Sequence, residues 1–205
     1  MSVSSKKNNK KGFTLLEMLV VLGIFSTVVA SATDIFLMSS KAQRKVLAQE
    51  KVQADARFTL EVMAREARID AIDYAYYAAN SGVVDLPENE LAFIDPTNTP
   101  IRFKVSDAST QSVCPDNDAA KPCLLAIINN GAPVAITPKD VIIRSAKFYI
   151  TPQLDPNQYD TNIDAYVAND QPSVTMVLDV ETNQVGTSKS VIYVQTTVSN
   201  RIYRR

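Results

Sequence analysis

The sequence predicts an α+β protein: a long N-terminal helix, part membrane anchor and part amphipathic, packed on an antiparallel β-sheet domain. Three observations carry this expectation. No proline occurs from Phe13 to Asn80, and Gly23 is the one glycine between Gly12 and Gly82. The run from Phe13 to Thr33 is apolar almost throughout. Beyond Gly82 the helical period gives way to short alternating apolar runs bounded by turn residues.

The N-terminal stretch organises the rest. Lys6, Lys7, Lys10 and Lys11 stand among Ser and Asn with no acid nearby. Roughly 20 apolar residues are needed to span a bilayer as a helix, and Phe13 to Thr33 supplies that number. The lysines set the orientation, with the leader on the cytoplasmic side and the remaining chain outside. Glu17 does not fit an ordinary anchor, because a carboxylate inside an apolar run needs a partner to offset its desolvation. A secretory signal is cut after its apolar region at small residues. Here the Gly12–Phe13 junction lies before that region, so a cut there removes the lysines and keeps the anchor. The cut frees an amine on Phe13, one helical turn from Glu17, and the two charges could neutralise each other within a chain or between chains.

The basic leader, Gly12, Phe13, Thr14-Leu15-Leu16-Glu17 and the apolar run that follows resemble the N-terminus of type IV pilins and of the pseudopilins of type II secretion. The resemblance is close from about Lys6 to Ala32. It implies cleavage between Gly12 and Phe13 by a prepilin peptidase, a membrane aspartic peptidase. It further implies N-methylation of Phe13 and stacking of subunits through their N-terminal helices into a filament, with Glu17 serving assembly. The implied location is the inner membrane, single-pass, with the C-terminal domain outside the cytoplasm, and then the pilus or pseudopilus. Many major pilins carry a proline in the membrane part of the helix, and this chain has none. The segment from Arg57 to Arg68 is similar to the post-anchor helix of J-type minor pseudopilins and their pilus counterparts. The implied organisation is a cleaved leader at 1–12, a transmembrane or filament-core helix at 13–33, its amphipathic continuation at 34–80 and a β domain at 81–205.

Taken as one helix, Phe13 to Asn80 would be on the order of 100 Å long. Asp34 falls where the helix should leave the hydrocarbon. Past Lys41, Phe58, Val62, Ile69, Ile72 and Tyr76 recur at three- and four-residue steps with Met63 beside them, predicting the stripe that carries the globular domain. Arg57, Glu61 and Arg65 alternate in sign at i, i+4 and predict a solvated face. Asp55, Glu61 and Glu66 interleave with the arginines, which argues against a nucleic-acid stripe.

In the β region, Leu91–Ile94 and Ile101–Val105 flank the turn Asp95–Pro100 and predict a hairpin. Cys123–Ile128 and Pro133–Ile136 predict another around Asn129-Asn130-Gly131. Val141–Ile150, Val174–Val180 and Val191–Val198 complete the strands, expected to form an antiparallel sheet with one face on the long helix.

Cys114 and Cys123, the two cysteines, close a short Pro-containing loop and predict a disulfide outside the membrane. Asp160, Asn162 and Asp164 repeat the first positions of a calcium loop, but Ala165 replaces the required Gly and Gln171 stands where a bidentate Glu belongs. Calcium and a plain solvated loop both remain open there, and no other cofactor is expected.

The chain has no histidine, so the usual triads and most zinc sites cannot be built, and no enzyme is expected. A net charge of −1 provides no field for polyanions. The functional expectation is a minor pilin or pseudopilin of a filament serving pilus biogenesis, secretion or DNA uptake in competence. The alternative is an adhesin or ligand-binding module at a filament tip. Tyr74, Tyr76 and Tyr77 stand beside acids, which disfavours a basic aromatic surface.

Overall fold

A computed structural model describes residues 12–81, 84, 87–118, 120–139, 141–162, 164–168, 170–182 and 191–201. The chain divides into two compact units, Met1–Arg44 and Lys45–Arg205. The leader lysines lie outside the described residues.

The first unit is helical from Leu15, where α1 (Leu15–Ile69) begins. Residues 15 to 39 are exposed all round. In the second unit α1 becomes one-sided, burying Ala48, Val52, Ala56, Thr59, Leu60, Met63, Ala64 and Ala67. The steps between them are three and four residues, as an amphipathic helix requires. The face differs from the expected one. Phe58 is 60% and Ile69 48% exposed, and Val62 is half-buried, whereas the buried stripe is rich in alanine. The stripe mixes Ala48, Ala56, Ala64 and Ala67 with Val52, Leu60 and Met63, so residue size alone misidentified the inward face.

The helix also stops earlier than the missing prolines suggested. The Asp70 amide donates to the Glu66 carbonyl at 2.8 Å, and the chain then extends as β1 (Ala71–Ile72). A second helix, α2 (Tyr74–Ser81), starts on an Asp73 cap, whose Oδ1 accepts from the Tyr76 amide at 2.9 Å. The expected continuous helix over 34–80 is therefore two helices with a short strand between them. The carbonyls left open at the end of α1 are met from far along the chain. The Arg201 amide donates to Arg68 O at 3.1 Å, and the Asn200 side-chain amide donates to Asp70 O.

The strands form two main sheets where one was expected. β2 (Glu90–Ile94), β3 (Pro100–Val105), β4 (Leu124–Ile128) and β5 (Val134–Ala135) join β1 in an antiparallel five-stranded sheet of order β1-β2-β3-β4-β5. Both predicted turns are built by side-chain chemistry. Asp95 Oδ1 accepts the amides of Thr97 and Thr99, each at 2.8 Å, and Asn98 takes a positive φ of 66°. Asn129 and Asn130 both adopt positive φ, 52° and 53°, and the Gly131 amide closes the turn by donating to Ile128 O at 2.9 Å.

β6 (Val141–Thr151) does not extend this sheet. It pairs instead with β9 (Ser173–Thr182), which pairs with β10 (Val191–Ser199), giving the order β10-β9-β6. Between them β7 (Tyr159–Asp160) and β8 (Ala165–Tyr166) make a two-stranded hairpin. A bridge between Glu88 and Phe148 links the segment before β2 to β6. The core cluster joins α1, through Val52, Met63 and Ala67, to Leu91 and Phe93 of one sheet and to Phe148 and Met176 of the other.

Candidate functional site

The N-terminal segment is the candidate site, and its geometry begins with the cap of α1. Thr14 precedes the first helical residue. Its Oγ1 accepts the Glu17 amide at 3.2 Å, and its carbonyl accepts the Met18 amide at 3.2 Å. Thr14-Leu15-Leu16-Glu17 is thus a helix start with Thr14 as N-cap and Glu17 in the first turn, where a carboxylate meets the positive end of the helix dipole. Sequence reasoning treated Thr14 only as part of a resemblance, although a Thr three residues before a Glu is itself a helix-start signal. Glu17 is exposed, as are Phe13 and the apolar residues around it.

Gly12 and Gly23 have no conformational reason in this chain to be glycine. A Cβ built on either meets nothing within 4 Å, and neither has a left-handed φ. The small polar residues that interrupt the apolar run are satisfied inside the helix. Ser26 donates to Leu22 O at 2.7 Å, Thr27 to Ile24 O at 2.8 Å, Ser31 to Thr27 O at 2.9 Å and Thr33 to Val29 O at 2.8 Å. Hydroxyls bonded back to their own helix do not need water, so they are compatible with hydrocarbon. With a mean hydropathy of 2.1 over its most apolar 18-residue window, none of it buried, α1 is long and apolar enough to cross a membrane.

The other expected site residues lie in the second unit. Cys114 and Cys123 are joined in a disulfide and both are buried. They form a small cluster with Leu125, packed by Val113 and Ala135. The bond therefore closes over an apolar centre of its own and does not merely staple a polar loop. Around it the Gln111 amide donates to Asp118 O at 2.7 Å and Lys121 O at 3.0 Å.

Asp160, Asn162 and Asp164 occupy the β7–β8 turn. Asp160 Oδ1 accepts from the Asn162 amide at 2.8 Å and from its side chain at 3.0 Å. Asp164, at a φ of 53°, accepts from the Tyr159 hydroxyl. These oxygens serve the turn itself, and among the described residues no group of three or more acids, Cys or His is arranged to hold a metal.

The three tyrosines weighed as a binding surface have structural partners. Tyr74 donates to Pro152 O at 3.0 Å and Tyr76 to Glu90 Oε2 at 2.7 Å, with the Arg102 guanidinium 5.4 Å from the Tyr76 ring centroid. Tyr77, almost wholly buried, accepts from the Ala92 amide at 2.8 Å. Burial pushes the Tyr74 and Tyr77 hydroxyls above the usual phenol range.

No curated protein and no solved structure matches the chain. Residues 7–33 match the family model of the prokaryotic N-terminal methylation motif, the segment that contains Gly12, Phe13 and Glu17 and opens α1.

Proposed function

We propose that the chain is a minor pilin or pseudopilin, a structural subunit of a type IV pilus-like filament. In this reading a prepilin peptidase cuts between Gly12 and Phe13, and the new Phe13 amine is methylated. The observation that carries it is the methylation motif at residues 7–33, set at the start of a helix apolar and exposed on every side. Three details support it. Gly12 answers to no packing or backbone demand, so its identity fits the needs of a peptidase. Cleavage leaves only Phe13 ahead of the Thr14 cap, which keeps the helix start intact. Glu17 then lies one turn from a cationic amine, and pairing with the amine of a neighbouring subunit offsets the desolvation of both charges. The subunit sits in the inner membrane with its C-terminal domain outside before it enters the filament, and it acts as a structural element without catalysis.

One experiment tests the reading with two readouts on wild type and Glu17→Gln. The intact mass of each membrane-extracted protein should show loss of residues 1 to 12 and gain of one methyl. Recovery in sheared filaments should fall about tenfold for Glu17→Gln, which keeps shape and removes charge. A retained Met1 terminus, a cut after Ala32, or wild-type recovery of the variant would overturn the proposal.

A further inference from the structure

The four edges of the two main sheets are managed differently. β1 and β5, the edges of the larger sheet, have two residues each. β6, one edge of the smaller sheet, carries Arg144 and Lys147, shifts register between Ile143 and Ser145, and is bridged by Glu88. Short strands, charges, irregularities and covering segments are the ordinary protections of an edge against pairing with another chain.

Among the described residues, β10 has none of them. It runs nine residues with no charge, no proline and no register shift against β9. Among the described residues, Val191 to Ser199 make no backbone hydrogen bond outside that pairing. Two apolar side chains stand out on this strand, Tyr193 at 73% and Val191 at 49% exposure.

We propose that β10 is an interaction edge whose occupant is the β10 of a second copy of this chain, paired antiparallel about Gln195. The strand is suited to meeting itself. Carrying no charge, it places no like charges opposite one another. Pairing centred on a residue keeps inward side chains opposite inward ones. Ile192 then faces Val198 and Val194 faces Thr196 on the core side, while Tyr193 faces Thr197 on the outer side. The two three-stranded sheets become one six-stranded sheet of order β6-β9-β10-β10-β9-β6. A strand edge alone provides less contact than a stable dimer needs, so the association is weak and reversible. The inference does not depend on the N-terminal motif.

The test uses the full chain in detergent micelles, with single cysteines on the outer face of β10. Opposed residues of an antiparallel pair lie about 4.5 to 5.5 Å apart at Cα, within disulfide reach. Under mild oxidation Gln195→Cys should form a covalent dimer at least tenfold faster than Thr197→Cys alone. A mixture of Tyr193→Cys and Thr197→Cys chains should cross-link to each other. Adding Tyr193→Lys and Thr197→Lys to the Gln195→Cys chain should abolish its dimer by opposing like charges. Mixing that chain with a Gln195→Cys copy carrying Tyr193→Glu and Thr197→Glu should restore it. Equal rates at 193, 195 and 197, no dimer through Gln195→Cys, or a cross-link to a different protein would each overturn the proposal.

Discussion

The two stretches of α1 follow opposite rules within one unbroken run of hydrogen bonds. From Leu15 to Ser39 every residue is exposed, and large apolar side chains occupy all sides of the helix. From Lys45 to Ile69 the large apolar side chains Phe58 and Ile69 are exposed, while the helix turns an alanine-rich face to the sheets. A helix apolar all round needs an apolar surrounding from outside the chain, which a membrane or neighbouring helices can supply. A helix with one buried stripe finds its surrounding within its own domain. The difference teaches that exposure has two meanings along this helix, a surface awaiting a partner in the first stretch and an ordinary solvated face in the second.

The sharpest way to break the comparison is to truncate methionine in each stretch. Met63 is fully buried and Met38 is 74% exposed. Met63→Ala should cost about 3 kcal/mol in unfolding of the detergent-solubilised chain, through lost contact and the cavity left behind. A change below about 1 kcal/mol would mean that the alanine-rich face is not packed as the core cluster describes.

A smaller effect is expected where the buried stripe ends. Asp70 is 2% exposed, its Oδ2 has no hydrogen-bond partner among the described residues, and its carboxyl is pushed up to about 6 from 3.8. Burial is the main cause, followed by the Glu66 carboxylate on α1 and then Asp95 in the β2–β3 turn. The folded state therefore holds a proton that the unfolded chain releases. Stability is highest below about pH 4 for this group and is lost as pH rises through about 6. Asp70→Asn should flatten that dependence and stabilise the chain at pH 7.5 by on the order of 2 kcal/mol, read from unfolding midpoints at pH 4.5 and 7.5. An unchanged pH profile would remove Asp70 from this role.

The smallest effects belong to the exposed positions. Phe58→Ala and Met38→Ala should each change unfolding of the second unit by less than about 0.5 kcal/mol, as surface substitutions away from packed features do. A loss of several kcal/mol at Phe58 would show that the face suggested by residue size carries the domain after all.

Much of the molecule was legible from local chemistry. The apolar N-terminal helix, the Gly12–Phe13–Glu17 spacing and the two asparagine- or aspartate-built turns depend on residues within a few positions of each other, as does the Cys114–Cys123 loop. Local geometry and hydropathy act at that range, so sequence alone determined them. Tertiary structure decided the rest. The inward face of α1 was set by which side meets the core cluster, and that side carries Ala56, Ala64 and Ala67 with Val52 and Met63, while Phe58 faces out. The break after Ile69 needed no proline, because β2 offered an edge to Ala71 and Ile72 and residues 200 and 201 met the open carbonyls of α1. The split into two sheets arose because β6 found its partner in β9 and not in the nearby β5. Each of these outcomes is a choice between competing contacts distant in sequence, and periodicity measures one segment at a time.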